Sequence, residues 1–518
     1  MRIILGIAAL LLIAAAPPAE VPVTLGIGTN TPLAGRLIVF AEPVIAGEKA
    51  PDSVDANPFA GTPTAVAARD VRSLSNGQTA IIDADTDAVP GPWSKLPPGR
   101  YRVQAVLDVN GDYNYAGRGP GDVVSEVTEV SLPGPVSPLL LSRTLPATDP
   151  FQARSPARAA LIPYLTKTVA VDLVSPKLSA FWGRPVHMRG WIALPPDYSG
   201  SGRQMWPTVY STQGFGGNLA SARWEAASRF KLMADGKIPP MIWVVLDESS
   251  PTGTHEFADS VNNGPWGAAL TTELIPSLER QYRMDARASG RFLTGHSSGG
   301  WATLWLQTRY PEIFGGTWST SPDPSDFHDF TGADIYRPGA NVYVDAAGRK
   351  VPLVRINGKD VASIEDFARL EAVLGPYGGQ MSSFDWVFSP KGADGRPEQM
   401  FDRRTGVVNP EVAAYWRDHY DIAYRLQRDW PSISKDLDGK IHVIVGTADT
   451  FHLDGSAHRL QQVLEGLHAK ADVRFLPGKT HGNLYEANGD PNALLIQIAK
   501  EMYAVARPAP MSARAAVR

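Results

Sequence analysis

The chain has 518 residues, too many for one compact core, so two or more domains are expected. Its composition is ordinary for a globular protein, 43% hydrophobic and 20% charged, and its formal charge of -4 offers no basic surface to draw nucleic acid or an anionic membrane. With no cysteine it has no disulfides, no thiolate metal site and no Cys nucleophile.

In chain order, residues 1–19 place Arg2 before an apolar run from Ile3 to Ala16, followed by small residues. The run is short for a membrane span, so a signal peptide is expected, which puts the protein in the periplasm or outside the cell. No later stretch is apolar enough to cross a bilayer, so no transmembrane segment is expected in the mature protein. From 20 to 145, short alternating segments such as "AGRLIVFAE", "GRYRVQAVLDV" and "VVSEVTEVSL" lie between Gly, Pro and Asp. They read as strands of a small all-β, sandwich-like domain. A Pro-, Ala- and Arg-rich linker is expected over 146–165. From 166 to 506, strand-like runs ("TVYSTQG", "MIWVVLD", "GRFLTG", "GGTWSTSP", "KIHVIVGTAD", "ADVRFLPG") alternate with helix-length segments ("GAALTTELIPSLERQY", "GWATLWLQTRYP", "SAHRLQQVLEGLHAK", "NALLIQIAKEMYAVA"). That rhythm predicts an α/β domain with a mostly parallel sheet covered on both faces. It breaks over about 325–430, read as an insertion, and 507–518 reads as a disordered tail.

Within this domain, Gly295-His296-Ser297-Ser298-Gly299 fits G-x-S-x-G between a strand and a helix. There the motif forms a tight turn that lifts a serine oxygen above the sheet edge. Ser297 is the nucleophile candidate; Ser298 lacks the symmetric glycine flanks. A serine hydroxyl needs a base oriented by a carboxylate, and in this architecture each partner follows a later strand, acid before histidine. His481, after "ADVRFLPG", has the base's address, and Asp449, after "KIHVIVG", the acid's. Asp454 and Asp323 are rival acids. His296 is too close to Ser297 in the chain to serve it as base and is assigned to packing, while His452 stays open between pocket and loop. The oxyanion of an acyl-transfer intermediate would be met by the N–H of Ser298 and by that of Phe215 or Gly216, in the loop "QGFGGN" after an earlier strand.

Residues 187–320 and 410–500 resemble the putative-esterase branch of the α/β-hydrolases, which includes esterase D and feruloyl- and enterochelin-esterase-like proteins. The likeness is carried by "MRGWIALPPDY", "WPTVYSTQGFGG", "NNGPWGAALTTELIPSLERQYR", "GHSSGGWATLWLQTRYPEIFGGTWSTSPDP", "VGTADTFHL" and "GKTHGNLY". The resemblance implies a Ser-His-Asp esterase, with Ser297, His481 and Asp449 in those roles. The N-terminal β region and the insertion depart from the compact family pattern.

Asp108, Asn110, Asp112 and Asn114 alternate like oxygen ligands of a calcium loop, but no Glu closes the loop and Asn110-Gly111 is a hairpin signal, so a turn without metal is preferred. No His cluster has zinc spacing, and no cofactor or metal is expected. His255, Asn262 and Trp266, in the loop after "MIWVVLD", are candidate substrate contacts, with Asp259 beside them. Trp301 and Trp305 follow the elbow at helical spacing and read as core. The reading is thus an exported serine hydrolase acting through an acyl-enzyme on a small-molecule or carbohydrate-linked ester. An acyltransferase with a sugar or glycerol acceptor and a non-catalytic binding protein are the alternatives.

Overall fold

The computed structural model describes residues 19–49, 51–59 and 64–508. The expected signal peptide, apart from Ala19, and the expected tail from 509 onward lie outside them. The chain divides into two compact units. The first takes 1–56, 62–110 and 120–146; the second takes 147–518 together with two short excursions, 57–61 and 111–119.

The first unit is all-β. Its strands are β1 (Glu20–Leu25), β2 (Leu33–Pro43), β3 (Ala65–Leu74), β4 (Thr79–Asp83), β5 (Ala88–Val89), β6 (Gly99–Asp108), β7 (Val123–Ser125), β8 (Thr128–Leu132) and β9 (Leu139–Thr144). All nine connect into one sheet, in which β6 gives its first half to β8 and its second half to β7. Alternate residues, including Val21, Val23, Leu37, Val39, Val103 and Ala105, turn to one core around the fully buried Trp93, as the two-residue period of a strand requires.

The second unit is built on β10 (Thr168–Val174), β11 (His187–Ala193), β12 (Thr208–Thr212), β13 (Ile242–Leu246), β14 (Arg291–His296), β15 (Gly316–Thr320), β16 (Ile441–Gly446) and β17 (Asp472–Leu476). They lie in the order β10-β11-β13-β12-β14-β15-β16-β17. The pairs from β13 to β17 are parallel and the two at the β10 edge antiparallel. β12, β13 and β15 are buried at every residue, the pattern of strands covered on both faces. Tyr210, Val244 and Leu293 point to one core, and Val209, Val245 and Phe292 to the other. In register, Thr212 faces Gly295, His296 faces Thr320 and Gly446 faces Leu476, so the carboxyl ends of the strands line up along one edge.

Helices α1 (Leu219–Ala234) and α2 (Ser298–Arg309) follow β12 and β14. The segment "GAALTTELIPSLERQY" is helical as expected, running without interruption from Trp266 to Gln281 with a π turn at Leu270–Leu274. Pro276 has no N–H to give the carbonyl four residues back, and the wider turn accommodates the missing bond.

The stretch between β15 and β16 is a packed body. It has a hairpin (352–363) and the helices α3 (Ile364–Leu374), α4 (Gln380–Phe388), α5 (Pro410–His419) and α6 (Ile422–Leu437). Ser363 caps α3 in a reciprocal box with Asp366, and Asn409 and Asp421 cap α5 and α6. Its aromatic core of Phe327, Phe330, Phe388 and Trp416 is continuous with Trp301 and Trp305 of α2, which stack 5.3 Å apart. Helices α7 (Leu453–Gly466) and α8 (Ala493–Ala506) follow β16 and β17.

Trp416 is 1% exposed, packs on Phe327, Phe330 and Phe388, and donates to the Ser389 hydroxyl at 2.9 Å. Trp416→Ala is expected to destabilise the second unit by about 3–5 kcal/mol, read from its transition in chemical denaturation.

Candidate active site

At the end of β14 the chain turns so sharply that Ser297 takes φ 60°, ψ -127°, a conformation that non-glycine residues rarely adopt. The glycines around it are required by contact. A Cβ on Gly299 would lie 2.1 Å from the Gln213 carbonyl oxygen, and one on Gly295 2.2 Å from that of Gly299. The turn is held by Ser297 N–H to the Thr320 carbonyl (3.1 Å) and Thr212 Oγ1 to the Gly299 carbonyl (2.9 Å). Ser297 thereby stands at the N-terminus of α2, with the N–H of Ser298 next in line.

The loop after β12 passes directly beside this serine. A Cβ on Gly214 would lie 3.0 Å from Ser297 Cβ and 3.7 Å from its Oγ. Gly214 to Gly217 close a turn, with Gly217 N–H bonded to the Gly214 carbonyl at 3.0 Å and Gly216 at φ 84°. Gln213 steadies the turn through Glu225 (3.2 Å) and the Ser221 hydroxyl (2.7 Å) of α1.

His481 and Asp449 are brought together from the loops after β17 and β16, with Nδ1 2.9 Å from Oδ2. Asp449 is fully buried and also accepts the Phe451 N–H at 2.9 Å. Burial pushes its carboxyl up, but the bonds to His481 and Phe451 outweigh that and hold it below the usual carboxylate range. The His481 ring lies between Phe451 (4.9 Å) and His296 (4.3 Å), and Phe59 of the 57–61 excursion packs on Phe451.

The rival acids are engaged elsewhere. Asp454 is paired with Arg355 at 2.8 Å, and Asp323 accepts the Ser298 hydroxyl at 2.5 Å behind the elbow. His452 lies 3.4 Å from Asp360 in a left-handed conformation at the start of α7. Arg355, which the sequence did not single out, also donates to the Asp449 carbonyl at 2.7 Å and so fixes the acid loop from the inserted hairpin.

Charge near His481 is tightly managed. His296 is held down to about 3, first by burial and then by His481, so it stays uncharged beside the His481 ring. Its Nδ1 lies 3.1 Å from the Thr320 hydroxyl, which itself donates to the Gly295 carbonyl and so accepts the His296 proton. Burial raises Asp323 to about 6. Glu248 and Glu256 are 1% and 0% exposed with no hydrogen-bond partner on either carboxyl, and burial, reinforced by neighbouring carboxylates, pushes both well above the ordinary 4.5.

The structure buries most of the 254–267 loop, whose residues the sequence offers as substrate contacts. His255, Asn262 and Trp266 are 0%, 2% and 8% exposed. His255 stacks on Trp266 at 3.6 Å and accepts the Phe257 N–H, while burial lowers it to about 3. The Asn262 amide donates to the Ser389 carbonyl at 2.7 Å, and the Trp266 indole to that of Asn263 at 2.9 Å. Asp259 accepts the Tyr310 hydroxyl and the Ala268 N–H. The insertion covers this loop through bonds at Ser383, Trp386 and Ser389, and His255 Nε2 and Asn262 Oδ1 stay buried without a hydrogen-bond partner. At the suspected calcium loop, both protons of the Asn114 amide go to carbonyls, so its side chain is engaged as a donor. Among the described residues no group of three or more His, Asp or Glu could hold a metal ion.

A mixed α/β unit that presents a serine elbow and a glycine-rich loop at one sheet edge is the architecture of an α/β-hydrolase-like esterase. Residues 183–483, more than half of the chain, match the family model described as "Putative esterase", and the chain belongs to that family. It is a serine esterase. Solved structures similar to it include a ferulic acid esterase (14% identity, 66% of this chain and 98% of that one, TM-score 0.39). Others are an S-formylglutathione hydrolase from Agrobacterium tumefaciens (14%, 65% and 94%, 0.38) and a ferulic acid esterase from Anaeromyces mucronatus (14%, 64% and 88%, 0.34). A search of curated proteins gives no match.

Two outcomes follow from the packing. Gly299→Ala should lose about 1–3 kcal/mol or more by overpacking against Gln213, read by chemical denaturation. Glu256 keeps its proton in the folded chain and loses it in the unfolded chain above about pH 4.5, so the wild type loses stability as pH rises from there toward the raised folded value. Glu256→Gln removes that loss, and its gain in Tm over wild type should be larger at pH 8 than at pH 5.

Proposed function

We propose that the protein hydrolyses carboxylic esters through an acyl-enzyme formed on Ser297, with His481 as general base and Asp449 as its orienting carboxylate. The observation that supports this best is the 2.9 Å pair of His481 and buried Asp449, on loops at the sheet edge that carries Ser297. Bonded to Asp449 through Nδ1–H, His481 keeps Nε2 free to take the Ser297 proton as the oxygen attacks the ester carbonyl. Asp449, held anionic, stabilises the imidazolium that results. The tetrahedral oxyanion is met by the N–H of Ser298 and by that of Phe215 or Gly216. His481 then protonates the leaving alcohol, activates water, and returns Ser297 as the acid departs. Neutral His296 keeps a second cation away from this cycle.

The test is turnover of p-nitrophenyl acetate, with fluorophosphonate labelling of the serine. Ser297→Ala should lose both labelling and turnover. Asp449→Asn should lower kcat by a factor on the order of 10⁴ while the fold is kept. Full activity in Ser297→Ala would remove the serine from the mechanism.

A further inference from the structure

Residues 111–119 lie in sequence between β6 and β7 yet belong to the second unit, and they carry Asn114 and Tyr115. We propose that Tyr115 is a positioning residue for the oxyanion loop; this rests on the reading of Phe215 or Gly216 as an oxyanion donor.

The loop has a mechanical difficulty. Three of its four residues from Gly214 to Gly217 are glycine, because a side chain at Gly214 would strike Ser297 and one at Gly217 would come within 2.6 Å of Gln213. Glycine gives close approach but leaves the backbone loose, whereas an oxyanion donor must be held to within about 0.5 Å of its working position. Gln213 restrains the start of the loop and packs against Gly217. Tyr115 restrains the rest, its hydroxyl donating to the Gly217 carbonyl at 2.6 Å and its ring meeting Phe215 edge-on at 5.1 Å and 78°. Burial raises the phenol's pKa, so it remains a neutral donor.

The restraint is itself anchored. Asn114 donates to the carbonyls of Glu371 (3.0 Å) and Gly375 (2.8 Å) at the end of α3. The Glu371 carboxylate in turn accepts the N–H groups of Gln380 and Met381 at the start of α4. A side chain at Gly378 would meet Tyr115 Cβ at 3.3 Å, so the insertion is shaped to receive this segment. The oxyanion loop is thereby braced against the insertion through two consecutive side chains.

The experiment compares full-length wild type, Tyr115→Phe, Asn114→Ala and Ser297→Ala. It measures kcat and KM for p-nitrophenyl acetate, inhibition by phenylboronic acid (whose tetrahedral adduct places an oxygen among the oxyanion donors) and Tm. Tyr115→Phe keeps the ring contact and loses the bond to Gly217. It should lower kcat about tenfold, a fraction of what deleting an oxyanion donor outright costs, with KM within about twofold. Boronate affinity should fall by the same factor, and Asn114→Ala should move both in the same direction. An unchanged kcat with only a lower Tm would overturn the proposal, as would a lower kcat with boronate affinity unmoved. Turnover surviving in Ser297→Ala is a separate result that would overturn the serine mechanism and this proposal with it.

Discussion

Everything at the sheet edge depends on one contact distance, the approach of the strand-to-helix turn at Ser297 to the carbonyl of Gln213. The turn closes only because Gly299 and Gly295 leave no side chain in a gap of about one atom, and because Gly214 passes the serine on the other side. Holding Ser297 at a positive φ stores strain, and the surrounding backbone bonds to Thr320 and Thr212 keep it there. From that fixed point the strand register sets the loops that carry Asp449 and His481 along the same edge of the sheet. The two loops are knitted as well: Ala448 N–H bonds to the Lys479 carbonyl, and Gly446 leaves room for that carbonyl to approach.

The second theme is the control of charge in a dry interior. Several buried titratable groups of the second unit are each shifted towards one protonation state. His296 is desolvated into neutrality, Asp449 is bonded into ionisation, and Glu248 and Glu256 are buried without partners and so hold their protons. Asp323 shows how position separates like residues. It follows a strand as Asp449 does, but its bond to Ser298 ties it to the back of the elbow.

The elbow, the strand–helix alternation and the strand-end addresses of Asp449 and His481 could be read from sequence because each rests on local pattern: glycines at fixed offsets, apolar runs of strand length, polar residues just beyond them. The insertion was less legible. Helices α3 to α5 are short, and the capping residues that start the insertion's helices, Ser363 with Asp366, Asn409 before Pro410, and Asp421, were not singled out in the sequence. The burial of His255, Asn262 and Trp266 was hidden for the same reason. A polar loop at the carboxyl edge of a sheet lines a crevice only if nothing covers it, and cover supplied by residues more than a hundred positions away, such as Ser389 for Asn262, leaves no local trace. Arg355 and Tyr115 were missed for that reason too.

The division of the chain has a consequence for how such a protein can be taken apart or recombined. Because the second unit claims 57–61 and 111–119 from within the sequence of the first, no single cut yields two complete units. An enzyme trimmed to begin at Ala147 would keep the whole eight-stranded sheet and the elbow but would lack Phe59, Asn114 and Tyr115. The first unit is therefore a scaffold from which two pieces of the hydrolase are strung. Any exchange of that scaffold would have to carry the two strung pieces with it, so the connections between its strands are parts of the enzyme as much as the strands of the second unit are.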